Sequence, residues 1–95
     1  MKVYTWNYDK NIKLIEQRGV SFEEIVMAIN EGKALDVFTH PNHEKYPDQE
    51  IYVVEHNNYC YLVPCKHEGD VYFLITVYPS RKMTKKYLKK EDKNG

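Results

Sequence analysis

The chain has 95 residues, of which 42% are apolar and 14% aromatic, and its 14 basic and 14 acidic side chains leave no formal net charge. These values exclude intrinsic disorder and leave no room for a second domain, because a chain of this length forms one modest core. No apolar stretch approaches the roughly 20 residues that span a bilayer, and no signal-peptide pattern opens the sequence, so we expect a cytoplasmic protein. One domain is predicted over residues 1–88, and residues 89–95, which lack apolar side chains, are expected to fray.

The first predicted elements are a short strand and an amphipathic helix. Residues 2–6 carry β-branched and aromatic side chains, which predicts a strand. A helix is predicted over residues 8–18, because Tyr8, Ile12 and Ile15 recur at helical spacing. Those three side chains would form its apolar face, with Leu14 beside them.

A second helix is predicted after a tight glycine turn. Gly19 supplies the left-handed residue that commonly ends a helix. Ser21 and Glu24 then have the spacing of a capping box, which starts the next helix. Gly32 ends that helix, and residues 34–38 begin to alternate in polarity.

The pattern that follows is typical of strands. Residues 49–55 and 59–65 flank a turn whose asparagines tolerate positive φ, which predicts a hairpin. A second turn, at residues 68–70, leads into a strand over residues 71–78, and residues 34–38 are expected beside the hairpin. The sequence therefore predicts an α+β domain in which two helices pack on an antiparallel β-meander, with a basic helix at the carboxyl end.

The carboxyl-terminal segment differs from the rest of the chain in charge. Residues 79–95 contain seven Lys or Arg and two Asp or Glu, whereas residues 1–78 contain seven and twelve. The two segments thus carry charges of about +5 and −5. A concentrated basic surface suits a polyanion or an acidic protein partner better than a neutral metabolite. A simple solvated helix surface is the alternative interpretation.

Three segments carry a resemblance to a known family. They read YTWNYDKN at residues 4–11, RGVSFEE at residues 18–24 and ITVYPSRKMTKKY at residues 75–87. In this order they resemble the BrnT family of toxins, and the carboxyl end resembles the related DUF4258 group. The resemblance covers nearly the whole chain.

The resemblance implies a RelE-like fold and the toxin component of a bacterial type II toxin–antitoxin pair. Such toxins cleave RNA without a metal or another cofactor. A tightly bound antitoxin protein holds them inactive, and for BrnT this partner is a ribbon-helix-helix protein. The implied function is therefore that of a metal-independent endoribonuclease that inhibits translation and growth.

Metal-free RNA cleavage needs a base for the 2′-hydroxyl, a cation for the phosphate and an acid for the leaving 5′-oxygen. Arg81 is the first candidate for the phosphate, because its guanidinium matches phosphate oxygens and follows a predicted strand. Tyr87 could stack on a base or supply a hydroxyl, or it could be a core anchor. His43, in the long loop predicted over residues 40–48, could act as acid or base.

The other candidates are weaker. Lys82, Lys85 and Lys86 are predicted to hold nucleic acid by charge, or to bind the antitoxin. His56 and His67 lie near turns and need no special role. A non-catalytic binding module that uses the basic helix is the main alternative, and a toxin that has lost its activity is a third possibility.

Overall fold

A computed structural model describes residues 1–88, which form three helices and a mixed sheet of six strands. In chain order the elements are β1 (Val3–Trp6), α1 (Tyr8–Arg18), α2 (Phe22–Asn30), β2 (Ala34–Thr39), β3 (Gln49–His56), β4 (Tyr59–Glu68), β5 (Val71–Leu74), β6 (Tyr78–Pro79) and α3 (Arg81–Leu88). The α+β class is confirmed. None of these helices has the length and apolarity needed to cross a membrane. The predicted fraying of residues 89–95 concerns a segment outside the described residues.

The predicted antiparallel meander is confirmed, and a parallel pair at one edge makes the whole sheet mixed. Its strand order is β1-β5-β4-β3-β2, and β2 to β5 form the predicted antiparallel meander. β1 joins the edge in parallel with β5, in a register that runs from Val3 opposite Val71 to Trp6 opposite Leu74. Parallel pairing joins segments that are distant in the chain and has no short turn as a local signal, so the pattern of residues could not predict it.

The strand predicted over residues 71–78 is interrupted by a bulge. Three residues, 75–77, lie opposite two in β4, between the pairs Cys65–Leu74 and Leu62–Tyr78. At this bulge the Pro64 carbonyl accepts from the Ile75 N–H at 2.8 Å, and Pro64 itself has no N–H to donate to the ladder. The extra residue puts Leu74 and Val77, an odd number apart, into the same core.

The predicted turns and caps are confirmed. Asn57 and Asn58 have φ of 54° and 60° in the β3–β4 hairpin, and Gly19 ends α1 with φ of 69°. Ser21 and Glu24 form the reciprocal capping box of α2. Local turn chemistry therefore determines the boundaries of these elements.

Helices α1 and α2 cover part of one sheet face. Leu14, Phe22 and Ile25 belong to the main core together with residues of β3, β4 and β5. The predicted apolar face of α1 is not the buried one, because Tyr8, Ile12 and Ile15 are 75%, 40% and 50% exposed. The buried side carries Leu14, which was expected beside that face, and Asn11, which was not expected there. Asn11 Oδ1 accepts from the Phe22 N–H at 2.8 Å, and Asn11 Nδ2 donates to Glu23 at 2.7 Å.

Helix α3 is attached to the start of β4 through a buried threonine. Thr84 Oγ1 accepts from the Cys60 backbone N–H at 2.9 Å and donates to the Ser80 carbonyl at 2.8 Å. Cys60 lies outside the main core that contains Cys65, and both thiols are free and buried. The two cysteines are five residues apart on β4, so their side chains point to opposite sides of the strand, in agreement with these different surroundings.

Candidate functional site

The predicted catalytic residues lie in three different surroundings. Arg81 is the first residue of α3 and lines a depression with Tyr59. Tyr87, at the other end of that helix, donates a short hydrogen bond to Asp36 of β2. His43 is exposed in the loop between β2 and β3. Their catalytic roles stay predictions, since no reaction centre is evident from this placement.

The Tyr87–Asp36 hydrogen bond attaches α3 to the edge strand β2. Hydrogen bonds from the Tyr87 hydroxyl and then from the Val37 N–H hold the pKa of Asp36 below its usual value. The same bond to Asp36 raises the pKa of Tyr87, so the phenol stays neutral. A hydroxyl engaged in this way serves as an anchor for the helix, which is the alternative role considered above.

The predicted nucleic-acid-binding residues form an exposed basic surface. Lys82, Lys85 and Lys86 are all exposed on α3. The depression beside them has a volume of about 400 Å³ and is lined by Tyr59, Arg81, Thr84 and Lys85. None of these four side chains is a carboxylate or an imidazole, so the depression can bind an anion but lacks a general base of the usual kind.

A second group of polar and aromatic side chains lies on the open part of the sheet. We call it the sheet-face cluster, and it consists of Lys2, Tyr4, Glu50, Tyr52, His67 and Tyr72. Strands β1, β5, β4 and β3 contribute to it or, for Lys2, lead into it. It brings together a carboxylate, an imidazole, an ammonium and several phenols.

The alternation of the strands places these residues on one face. Tyr4 is opposite Tyr72 in the β1–β5 pair, and Tyr72 is opposite His67 in the β4–β5 pair. Side chains two residues apart share a face, so His67 lies on the same side of β4 as Cys65 and the main core. Glu50 is opposite Cys65 and therefore joins the same side.

Glu50 and His67 form the polar centre of the sheet-face cluster. Their closest atoms, Glu50 Oε1 and His67 Nε2, are 3.7 Å apart. The side chains are 32% and 34% exposed, so a substrate can reach both. Among the described residues, His67 is the one polar side chain within ion-pair distance of the Glu50 carboxylate, which leaves that carboxylate with free acceptor capacity.

Aromatic rings hold the imidazole and cover the floor of the cluster. The His67 ring stacks on Tyr72 with centroids 4.7 Å apart and an interplanar angle of 19°. The Tyr4 ring also packs against Tyr72, with ring centroids 5.9 Å apart. The Lys2 ammonium lies over the rings of Tyr72 and Tyr52, at 4.9 and 5.9 Å from their centroids.

Burial makes the floor of the cluster chemically inert. Desolvation, followed by the nearby Glu50 carboxylate, raises the pKa of the Cys65 thiol to about 12. Desolvation also raises the pKa of Tyr52 well above its usual value, with further contributions from Cys65 and Glu50. Both groups are therefore neutral near pH 7, which leaves Glu50 and His67 as the partly exposed carboxylate and imidazole of the cluster.

A second pair of histidine and glutamate has a structural explanation. His56 Nε2 and Glu24 Oε2 are 3.8 Å apart beside a groove of about 290 Å³ between α2 and the β3–β4 hairpin. The other oxygen of Glu24 accepts from the N–H and the hydroxyl of Ser21 in the capping box. Glu24 thus caps the start of α2, whereas Glu50 has no such structural role among the described residues.

The sequence analysis missed the sheet-face cluster and assigned no role to His67. A usable signal was present in the alternation of the strands. Glu50 and Tyr52 have the same parity as the core residue Val54, and His67 has that of Cys65. Polar residues at core-facing positions of two paired strands indicate a site on the sheet or a buried network.

Within residues 1–88, no three His, Cys, Asp or Glu side chains are grouped as a metal site would require.

Comparison with known proteins adds no functional assignment. No family model matches the sequence, and no curated protein or solved structure shows significant similarity to the chain.

Proposed function

We propose that the chain is a RelE-like toxin of the BrnT or DUF4258 type and cleaves RNA at the sheet-face cluster. The observation that carries this proposal is the partly exposed Glu50–His67 pair, held 3.7 Å apart on the sheet beside aromatic rings. Carboxylate and imidazole are the two groups that general acid–base catalysis uses most often near neutral pH. The proposal places the activity in the cytoplasm, without metal or cofactor, and under the control of an antitoxin protein.

In this reaction Glu50 accepts the proton of the 2′-hydroxyl, whose oxygen attacks the adjacent phosphorus. The bond from phosphorus to the 5′-oxygen breaks, and protonated His67 donates a proton to that oxygen. The products are a 2′,3′-cyclic phosphate and a 5′-hydroxyl, so atoms and charge balance without an added reactant. The rings of Tyr4 and Tyr52 offer surfaces on which the flanking bases can stack.

The architecture supports the proposed family. Two helices separate β1 from an antiparallel run of four strands, and a basic helix follows. This order of elements is the one that the sequence predicts. Fold alone does not determine activity, so the proposal depends on the Glu50–His67 pair.

The test combines growth and RNA analysis. Wild type, Glu50→Gln and His67→Gln are induced in a bacterial host without an antitoxin, and purified protein is incubated with a defined RNA oligonucleotide. We expect wild type to arrest growth and to leave 2′,3′-cyclic phosphate ends. Each variant should lower the cleavage rate about 10²–10⁴-fold, which is the usual contribution of a general acid or base.

The second histidine–glutamate pair provides a matched control. Glu24→Gln keeps a side chain suited to the capping box, and His56→Gln changes an imidazole on another part of the molecule. Both should cleave as wild type does. Intact RNA with all proteins, or equal loss in the control pair and in the Glu50–His67 pair, would contradict the proposed site.

A non-catalytic binding module is the second candidate, and the basic surface of α3 favours it. Tyr59 begins β4 and lines a depression with Arg81, whereas His67 lies near the end of β4. Tyr59 and His67 are eight residues apart on β4, which corresponds to about 26 Å of extended strand. If RNA stays intact but binds, affinity should fall in small, similar steps as each lysine of α3 is removed.

A further inference from the structure

The position of Lys2 is unusual for a lysine at a surface. Its ammonium lies over the faces of Tyr72 and Tyr52 and within the sheet-face cluster. A ring face attracts a cation through its quadrupole but accepts few of its hydrogen bonds. The ammonium is therefore held near the cluster while its three donors remain available.

No carboxylate neutralises this ammonium within the described part of the chain. The ion pairs found there involve other groups, and Lys2 is in none of them. The Tyr72 ring that this ammonium faces at 4.9 Å also stacks on the His67 ring at 4.7 Å, and Glu50 Oε1 is 3.7 Å from His67 Nε2. An ammonium held by rings next to a carboxylate and an imidazole is suited to receive an anion between them.

We propose that Lys2 is the phosphate-binding residue of the sheet-face cluster, oriented by the rings of Tyr72 and Tyr52. This inference rests on the proposed function, and it assigns to Lys2 the contact that the sequence analysis assigned to Arg81. Arg81 and its neighbour Tyr59 lie at the other end of β4, so Arg81 is too distant to share a phosphate with His67. The Lys2 ammonium contacts the non-bridging oxygens and stabilises the charge that develops on them.

The test measures phosphate binding separately from cleavage. Uridine 3′-monophosphate is titrated into the protein, and its dissociation constant is obtained by calorimetry and from NMR shifts of the tyrosine rings. Lys2→Met should weaken binding about tenfold, since it removes a charge-assisted hydrogen bond, whereas Lys2→Arg should keep it within about threefold. Lys45→Met is the matched control, because the Lys45 ammonium also lies over a tyrosine ring, that of Tyr46 at 5.5 Å, in the loop between β2 and β3. It should bind as wild type does.

The orienting role of the ring has its own pair of variants. Tyr72→Phe keeps the ring face and should bind the nucleotide within about twofold of wild type, while Tyr72→Leu removes the face and should weaken binding several-fold. Circular dichroism of each variant checks that the fold is intact. A Tyr72→Phe loss as large as that of Tyr72→Leu would show that the hydroxyl matters and would overturn the role of the ring.

The outcomes separate this inference from the proposed function. Lys2-dependent nucleotide binding by a protein that leaves RNA intact would support the phosphate site and overturn the ribonuclease. Cleavage that depends on Glu50 and His67, with Lys2→Met unchanged in binding and in rate, would overturn the phosphate site alone. The proposal is also wrong if wild type binds no nucleotide at millimolar concentration, or if Arg81→Met weakens binding more than Lys2→Met does.

Discussion

Replacing Asn11 with leucine tests how α1 is oriented on the sheet. Asn11 is buried, and its Oδ1 accepts from the Phe22 N–H, one of the backbone donors that the start of α2 leaves without a partner inside the helix. Leucine has a similar shape and no acceptor, so Asn11→Leu leaves that N–H buried and unpaired. The variant also loses the hydrogen bond to Glu23.

The expected loss of stability follows from these two contacts. An unpaired buried N–H costs about 1–3 kcal/mol. The bond to Glu23 adds less than about 1 kcal/mol, because this exposed carboxylate returns to water. A total of about 1–4 kcal/mol is a large part of the roughly 5–14 kcal/mol expected for a domain of this size. The melting temperature should fall by about 4–8 °C for each kcal/mol that is lost.

The assay is urea unfolding followed by the fluorescence of Trp6, which stacks on Phe22 with ring centroids 5.6 Å apart. Glu23→Gln is the matched control, since its amide oxygen can still accept from Asn11, and it should stay within about 0.5 kcal/mol of wild type. An Asn11→Leu variant as stable as wild type, with an unchanged denaturant slope, would show that Asn11 does not determine the orientation of α1.

Three further predictions concern other parts of the fold. Because its pKa is lowered in the folded state, Asp36 contributes stability that is present above about pH 4 and is lost as the pH falls through the folded-state pKa. Acid unfolding experiments should therefore show that Tyr87→Phe destabilises the protein at pH 7 and progressively less toward pH 2. Cys65 should react with a thiol reagent only as fast as the protein opens, because burial raises its pKa to about 12, and quick labelling of native protein would contradict its burial. Val77→Ala should cost about 2 kcal/mol in thermal unfolding, because Val77 is fully buried after the bulge, whereas Val71→Ala at an exposed site should cost less than about 0.5 kcal/mol.

Local chemistry explains which elements the sequence could predict. The glycine and asparagine turns and the capping box act within a few residues, and each is found where the residues indicated it. The face that α1 buries depends instead on Asn11, whose partner Phe22 belongs to the next helix. An apolar stripe at helical spacing therefore predicted the helix correctly and its buried side wrongly, because a buried hydrogen bond outweighed the stripe.

The sheet-face cluster could not be assembled from local patterns. The antiparallel pairs of β3, β4 and β5 bring Glu50, His67 and Tyr72 together, but Lys2 joins them only because β1 pairs in parallel with β5. Without that pairing, Lys2 has no reason to lie near a histidine. The basic helix, by contrast, is one continuous segment, so its charge was visible in the sequence and drew the catalytic assignment to Arg81.

The lengths of the elements explain why a site can exist on this face of the sheet. Helices α1 and α2 have 11 and 9 residues, or about 16 and 14 Å, whereas the ten residues of β4 extend for about 33 Å. The helices can therefore shield only part of the strand, and Trp6 packs on Phe22 where their cover is in place. Beyond it, core-facing positions of the strands reach solvent, and residues such as Glu50 and His67 replace the apolar ones. A rigid sheet thus holds a carboxylate and an imidazole in fixed relation at an accessible surface, which is the arrangement that acid–base catalysis requires.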